Sequence, residues 1–201
     1  MTADILLHRA VYVPVGKDQE QHLEMARNYV NRFNHRYGNV FPEPEAFNFG
    51  EALIKVPSLD GTGKMSKSEN QYATIYLADE DNDIRQKIKK AKTDSGPAEP
   101  GAAMPDYIQN LFLLMELVSK PDTVQAFKAD FDAARIRYGD MKKQLGEDMV
   151  NFIAPIREKA RAIQNDAAYL KRVMEEGANK ARESARATIK LVREAMGLRY
   201  Y

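Results

Sequence analysis

The hydrophobic and polar positions divide the chain into an α/β stretch followed by a longer helical stretch. The segment VYVPVG (residues 11–16) alternates and is rich in β-branched side chains, which predicts a short buried strand. Over residues 17–38 apolar side chains recur at helical spacing and Gly38 stands at the C-cap position, so we predict a helix. Residues 39–50 then read as a loop, and ALIKVPSL (52–59) as a second strand. This alternation is typical of a parallel sheet.

From residue 79 onward the pattern is helical. A loop rich in proline and glycine interrupts it at residues 93–105, and we predict helices over 79–92, 107–120, 122–136, 140–164 and 166–197. Pro155 is expected to kink or restart the fourth of these helices, because proline lacks the N–H that an interior position needs. The last helix carries an apolar stripe that predicts a core-facing side, made by Leu170, Val173, Met174, Ala181, Ala185, Ile189 and Val192. We place the boundary between the two stretches near residue 78.

The first ten residues, MTADILLHRA, begin inside an amphipathic helical pattern with no capping residue before it. Helix N-termini usually carry a side chain that satisfies the first backbone N–H groups. We therefore expect the chain to be a fragment that starts within a helix.

Composition narrows the possible functions. The chain has 30 basic and 29 acidic residues, so any contact with nucleic acid must come from a local patch. A local excess of basic over acidic residues occurs at residues 155–201, which hold 11 basic and 6 acidic side chains. With no cysteine, and with only His8, His22 and His35 as histidines, we expect no metal site. No apolar run approaches the ~18 residues that span a bilayer, and no leader is visible, so we expect a soluble, cytoplasmic protein.

The segment LDGTGKMSKSEN (59–70) has the composition of a phosphate-binding loop or of a plain solvated turn. It is not a Walker loop, because Met65 follows Gly63-Lys64 where a serine or threonine is needed, and Ser58 replaces the first glycine. A P-loop phosphotransferase is therefore disfavoured. Lys64 and Lys67 could instead both reach one polyphosphate, with serine hydroxyls as neutral donors between and beside them.

The pentapeptide KMSKS (64–68) is the signature of class I aminoacyl-tRNA synthetases. Upstream, MTADILL, VPVGKDQ and QHLE follow one another at the expected distances. Downstream come KIKKAKTDSG (87–96), the YGDMK segment (138–142) and EGANKAR (176–182). The whole chain thereby resembles the tryptophanyl-tRNA synthetase family, with the related tyrosyl branch as an alternative.

That resemblance implies a fold that is mostly helical overall. Residues 1–78 would be the C-terminal part of a Rossmann-like catalytic domain, an α/β remnant that lacks the half carrying the H-x-G-H motif. Residues 79–201 would be an all-α anticodon-binding domain. The family activates L-tryptophan with ATP and Mg²⁺, ligates it to tRNA(Trp) and forms homodimers, with no tightly bound cofactor. We expect such a fragment to be inactive by itself.

The resemblance also assigns site residues. Lys64 and Lys67 would neutralise the pyrophosphate in the transition state. Contacts with ATP are implied for Gly16, Asp18, Lys64, Met65, Ser66, Lys67 and Ser68. Contacts with tryptophan are implied for Met1, Asp4, Val13, Val15 and Gln19. Among these, Asp4 would accept the indole N–H, which is a donor only. The pattern alone favours a plain surface or capping aspartate at this position, and the resemblance reverses that interpretation. A stand-alone helical module that binds tRNA remains a second interpretation.

Overall fold

A computed structural model describes residues 1–16, 19–47, 55–66 and 70–198. Within these residues the elements in chain order are α1 (Thr2–Leu7), β1 (Tyr12–Pro14), α2 (Glu20–Tyr37), β2 (Glu45–Phe47), α3 (Asp81–Lys89), α4 (Asp106–Val118), α5 (Pro121–Asp132), α6 (Tyr138–Asn165) and α7 (Ala167–Ala195). The chain is thus mostly helical, as predicted, with a small two-stranded parallel sheet.

The chain forms two compact units. The first comprises Met1–Leu53 and Asp166–Tyr201, and the second comprises Ile54–Asn165. The predicted boundary near residue 78 concerns the domains of the family and stays a prediction.

The sheet of the first unit differs from the predicted one. Strand β1 pairs in parallel with β2, which lies in the segment predicted as a loop, and Val13 is opposite Ala46. The predicted second strand carries only an isolated bridge between Pro57 and Lys64, and its residues 52–54 lie outside the described residues. Pairing between distant strands depends on tertiary partners that a local pattern does not contain.

Burial of β1 also differs from the prediction. Val13 packs against a small core of Ile5, Leu23 and Ala26, whereas the Tyr12 side chain, on the opposite face, is 65% exposed. Successive strand residues point to opposite faces, and within the first unit only the Val13 face of β1 packs on that core. The predicted strand is therefore confirmed, but the prediction that it is buried was wrong.

Helix α2 ends where its sequence indicates. Gly38 adopts φ 94° and donates its N–H to the Asn34 carbonyl at 3.0 Å. The Asn34 side chain in turn accepts the N–H groups of Val40 and Phe41, each at 3.0 Å. The predicted C-cap glycine is confirmed.

The second unit has the larger core, shared by α3, α4, α5 and α6. Among its fully buried members are Ile84, Ile88, Leu114, Met115 and Met141. Helix α3 carries acidic residues in its first turn and lysines in its last, as predicted, which complements the helix dipole. The helices α3 to α6 fall within a few residues of their predicted bounds.

Helix α6 runs through Pro155 without restarting. The proline has no N–H to donate to the Asn151 carbonyl four residues earlier, and Asn151 is exposed. Close by, the buried Arg157 guanidinium binds the Asp81 carboxylate and the Asp79 carbonyl and so joins α6 to the start of α3. The helix is thus continuous at Pro155, and its contacts with the start of α3 lie only two residues further on.

The apolar stripe of α7 does not form a core. Val173 is 45% and Met174 72% exposed, and Thr188 is the buried residue of this helix within the described chain. Helix α7 contacts α1, and His8 Nδ1 lies 3.1 Å from Ser184 Oγ. At 1.5 Å per residue, a helix as short as α1 covers only a fraction of one as long as α7, so the prediction of a core-facing stripe was wrong for Val173, Met174 and Ala181.

No helix in the described part of the chain combines the length and the apolar character that a membrane span requires.

Substitution of two neighbouring glycines, Gly61 and Gly63, tests how closely the second unit is packed. Gly61 and Gly63 both have φ 78°, but a Cβ at Gly61 would lie 2.9 Å from Tyr107 Cβ, whereas a Cβ at Gly63 would meet nothing within 4 Å. We expect Gly63→Ala to cost about 1 kcal/mol through backbone strain alone. Gly61→Ala should cost about 1–3 kcal/mol more through the steric conflict. Urea unfolding of both variants measures this difference, and equal losses would contradict the close packing.

Candidate active site

The first group of predicted site residues surrounds the small core of the first unit. Val13 and Val15 pack partly buried against Ile5, Leu23 and Ala26. Gln19 precedes α2 as its N-cap residue and donates its N–H to the Gly16 carbonyl at 2.9 Å. Local structure therefore brings Val13, Val15, Gly16 and Gln19 to the end of β1 and the start of α2.

Asp4 and Met1 lie at the start of α1. The Asp4 side chain is 84% exposed, and one of its carboxylate oxygens lies 3.6 Å from the amino group of Met1. An acceptor that selects an indole N–H gains its discrimination when it is enclosed. The described residues of this unit do not enclose Asp4, so its role in a pocket stays a prediction. Asp18 lies outside the described residues.

The second group lies on the KMSKS segment in the second unit. Lys64 is exposed and forms the isolated antiparallel bridge with Pro57. Within the described residues its ammonium pairs with no carboxylate. A solvent-exposed lysine next to a fixed backbone position can place a positive charge on a polyphosphate. Lys67 and Ser68 lie outside the described residues.

Met65 and Ser66 attach this segment to the body of the second unit. The Met65 N–H donates to the Val56 carbonyl at 2.9 Å, and its side chain packs against the core. Thr74 Oγ1 donates to the Ser66 carbonyl at 3.3 Å. Because the Met65 side chain is used in this core, a contact with ATP at this position would come mainly from its backbone.

Residues behind the segment extend this anchoring to α3. Lys87 Nζ donates to the Thr74 carbonyl at 2.9 Å and to the Asp79 carboxylate at 2.6 Å. Asp79 also accepts the Tyr76 N–H at 2.9 Å. Further along, the Lys92 N–H donates to the Leu59 carbonyl at 3.0 Å. The described part of the KMSKS segment is thus connected, through Thr74, to α3, one of the helices that form the core.

A basic cleft between α3 and α6 was not identified from the sequence. Its volume is about 470 Å³, and its lining includes Arg85, Lys89, Thr93, Tyr138, Lys142, Lys143 and Glu147. The segments 87–96 and 138–142, which carried part of the family resemblance, meet here. The family resemblance of both segments was the available signal, but only packing shows that they share one site.

The charges of this cleft are not equivalent. Arg85 makes a bidentate pair with Glu147, with both contacts at 2.8 Å, and this pair keeps the pKa of the Glu147 carboxyl below its usual range. Lys142 Nζ donates to the Ala91 carbonyl at 2.7 Å and to Thr93 Oγ1 at 2.8 Å, and burial lowers its pKa. Lys89 and Lys143 are exposed, and within the described chain neither forms an ion pair. They are the cations available to an anionic ligand.

A buried tyrosine closes one side of the cleft. The Tyr138 residue is 8% exposed, and its hydroxyl lies near the Asp94 carboxylate without a hydrogen bond of good geometry within the described residues. Its neighbour Asp94 instead accepts from the Tyr107 hydroxyl at 2.8 Å, which lowers the pKa of Asp94. Burial, followed by the nearby Asp94 charge, raises the pKa of Tyr138 well above its usual value.

No group of three or more metal-ligating side chains lies together in the part of the chain that the structure describes.

Comparisons with known proteins agree with the motifs. Residues 1–154 match the sequence profile of the family described as "tRNA synthetases class I (W and Y)". The chain therefore belongs to this family of class I tRNA synthetases.

Curated proteins similar to this chain include tryptophan--tRNA ligases from several bacteria. The one from Porphyromonas gingivalis is 51% identical over 200 residues, which cover 99% of this chain and 61% of the relative. The one from Treponema pallidum is 39% identical, over 98% of this chain and 57% of the relative. The chain thus spans about 60% of the length of these relatives.

A solved structure is similar over nearly the whole chain. Tryptophanyl-tRNA synthetase from Campylobacter jejuni, complexed with ADP and tryptophan, superposes with a TM-score of 0.83 at 31% identity, covering 98% of this chain and 60% of that chain. Tyrosyl-tRNA synthetase from Aeropyrum pernix is 22% identical with a TM-score of 0.50, a likeness of fold alone.

The ionisation of Tyr138 gives a prediction for alkaline pH. A raised pKa in the folded state means that stability is intact below the unfolded tyrosine pKa of about 10 and is lost as the pH rises above it. We expect the free energy of unfolding of Tyr138→Phe to fall less between about pH 8 and about pH 11 than that of the unsubstituted protein. Tyr107 contributes to the pH dependence equally in both proteins. Denaturant unfolding at each pH measures it, and parallel pH profiles would contradict the burial of this hydroxyl.

Proposed function

We propose that the protein containing this chain activates L-tryptophan with ATP and Mg²⁺ and ligates it to tRNA(Trp). The observation that carries the proposal is the exposed Lys64 ammonium of the KMSKS segment, whose backbone is anchored to a packed core through Met65 and Ser66. Support for tryptophan rather than tyrosine comes from the names of the curated relatives at 51% and 39% identity. Because the chain spans about 60% of those relatives, the complete reaction is proposed for the whole protein.

The chemistry needs orientation and charge stabilisation rather than covalent catalysis. The tryptophan carboxylate attacks the α-phosphorus of ATP, and the bond to the leaving pyrophosphate breaks. Negative charge accumulates on that pyrophosphate, so the ammonium groups of Lys64 and Lys67 would stabilise the transition state more than the ground state. Ser66 and Ser68 would add neutral donors, and Met65 a backbone contact.

The other half of the site follows the same proposal. Gly16 would allow the adenylate to approach the backbone, since it has no side chain. Asp18 would bind the ribose hydroxyls and Gln19 the α-amino group of tryptophan. Met1, Val13 and Val15 would contact the indole ring, and Asp4 its N–H.

For tRNA, the contact we propose is the α3–α6 cleft. Lys89 and Lys143 are exposed and unpaired within the described residues, whereas Lys171 and Lys190 on α7 lie 3.8 and 3.9 Å from Glu175 and Glu194. An ion-paired lysine has less to offer a phosphate than an unpaired one. We therefore propose that the helical part of the chain, predicted as the anticodon-binding domain over residues 79–201, contacts RNA at this cleft. The same function implies a cytoplasmic protein and, from the family resemblance, a homodimer.

Substitution of Lys64 tests the catalytic proposal. In the protein at its full natural length, Lys64→Ala should slow tryptophan-dependent pyrophosphate–ATP exchange by about a hundredfold. Tryptophan affinity should stay nearly constant, because the charge acts on the pyrophosphate. The control is Lys55→Ala, which removes an exposed lysine outside the motif. Equal losses in exchange and in tryptophan affinity would contradict the role in the transition state.

Paired lysine substitutions test the tRNA contact. Lys89→Ala combined with Lys143→Ala should weaken tRNA binding and reduce the slope of log K against log salt by about 1.4–1.8, since two phosphate contacts are lost. The matched control combines Lys171→Ala with Lys190→Ala on α7. Filter binding at several salt concentrations measures both pairs, and an equal or larger effect in the control would move the contact to the basic C-terminal segment.

A further inference from the structure

A tight turn precedes Lys64 and sets the position of its backbone. The Ser58 N–H donates to the Gly63 carbonyl at 3.1 Å, and the Gly61 N–H donates to the Ser58 carbonyl at 3.2 Å. Pro57 then pairs with Lys64 as an antiparallel bridge. Any change in this turn would move the point from which the Lys64 side chain extends.

The Asp60 carboxylate is the centre of this turn. One of its oxygens accepts from Ser58 Oγ at 2.8 Å, from the Thr62 N–H at 3.0 Å and from Thr62 Oγ1 at 2.6 Å. Its other oxygen accepts from Asn70 Nδ2 at 3.2 Å. These hydrogen bonds, those of Thr62 first, hold the pKa of Asp60 far below its usual range, so the group is ionised at neutral pH.

Asn70 joins this turn to the residues that follow the motif. Its Oδ1 accepts the Tyr72 N–H at 3.0 Å and caps the 3₁₀ turn Gln71–Ala73. The Ala73 carbonyl in turn accepts from the Leu59 N–H at 3.0 Å, and Ser58 Oγ, whose proton goes to Asp60, lies 3.3 Å from the same carbonyl. Side-chain and backbone contacts thus connect the residues on either side of the motif.

An acid four residues before Lys64 could be expected to neutralise it. Among the described residues every donor to Asp60 is a neutral group, and Lys64 is not one of its partners. A carboxylate whose lone pairs are used by fixed neutral donors has less to gain from an ammonium group. The Lys64 charge therefore stays available to an anionic ligand.

We propose that Asp60 is a positioning residue for Lys64: its carboxylate, through Thr62 and Asn70, holds the turn that presents the Lys64 ammonium to the pyrophosphate portion of the substrate. This inference rests on the proposed function. Asp60 itself does not touch the substrate, and its contribution passes through Lys64.

A double-mutant cycle tests the inference in the full-length protein. We expect Asp60→Ala to lower kcat for pyrophosphate–ATP exchange by about tenfold while the KM for tryptophan stays within about twofold. In the Lys64→Ala background the same substitution should have almost no further effect on kcat, because the group that it positions is absent. A general structural defect would lower kcat by the same factor in both backgrounds, and that result would overturn the proposal.

Two more variants exclude a folding defect as the cause. Asn70→Ala removes the other end of the contact and should show the same dependence on Lys64, while the thermal unfolding midpoint confirms that each variant folds. The control Asp122→Asn removes one exposed acid at the start of α5 and should leave kcat unchanged. If the unsubstituted protein catalyses exchange normally, but Asp60→Ala lowers kcat by the same factor with and without Lys64, the positioning role alone is refuted. Absence of exchange in the unsubstituted protein would refute the proposed function and this role together.

Discussion

Isoleucines on one face of α3 and apolar residues on one face of α6 share the core on which the second unit depends. Ile84, Ile88, Met141 and Leu145 are all fully buried in that cluster. Burying a large aliphatic side chain contributes about 1.5–3 kcal/mol, so this contact fixes the two helices relative to each other. Both the cleft and the support of the KMSKS segment follow from it.

Helices α3 and α6 also connect the KMSKS segment with the basic cleft. On one side the Lys87 side chain donates to the Thr74 carbonyl behind the KMSKS segment, and the backbone N–H of Lys92 donates to the Leu59 carbonyl before it. On the other side Lys142 holds the end of α3 and the following loop through Ala91 and Thr93. Lysines that look alike in the sequence thus divide into structural donors inside the unit and exposed cations at its surface. Burial and partners decide which is which.

Most helices could be predicted because their signals are local. Each of these signals stabilises a helix end within one or two turns of its own position. Examples are the acids and lysines at the two ends of α3, the Asp166 side chain that caps α7, and Gly38 after α2. Strand β2 could not be predicted, because the residues around Pro44 read as a loop and its ladder is completed only by β1. The exposure of Val173, Met174 and Ala181 on α7 could not be predicted either, since periodicity shows that a helix has an apolar side and not what covers it.

The sequence alone determined the helical character of the chain, its family resemblance and the identity of the KMSKS lysines, because these depend on residue types at fixed spacing. Tertiary structure decided which lysines remain available to ligands, and it brought residues 87–96 and 138–142 to one cleft. Among the described residues it also gave Asp60 neutral donors rather than Lys64 as partners. The physical reason is that exposure, pairing and hydrogen bonding depend on neighbours that are distant in the chain and become adjacent only on folding.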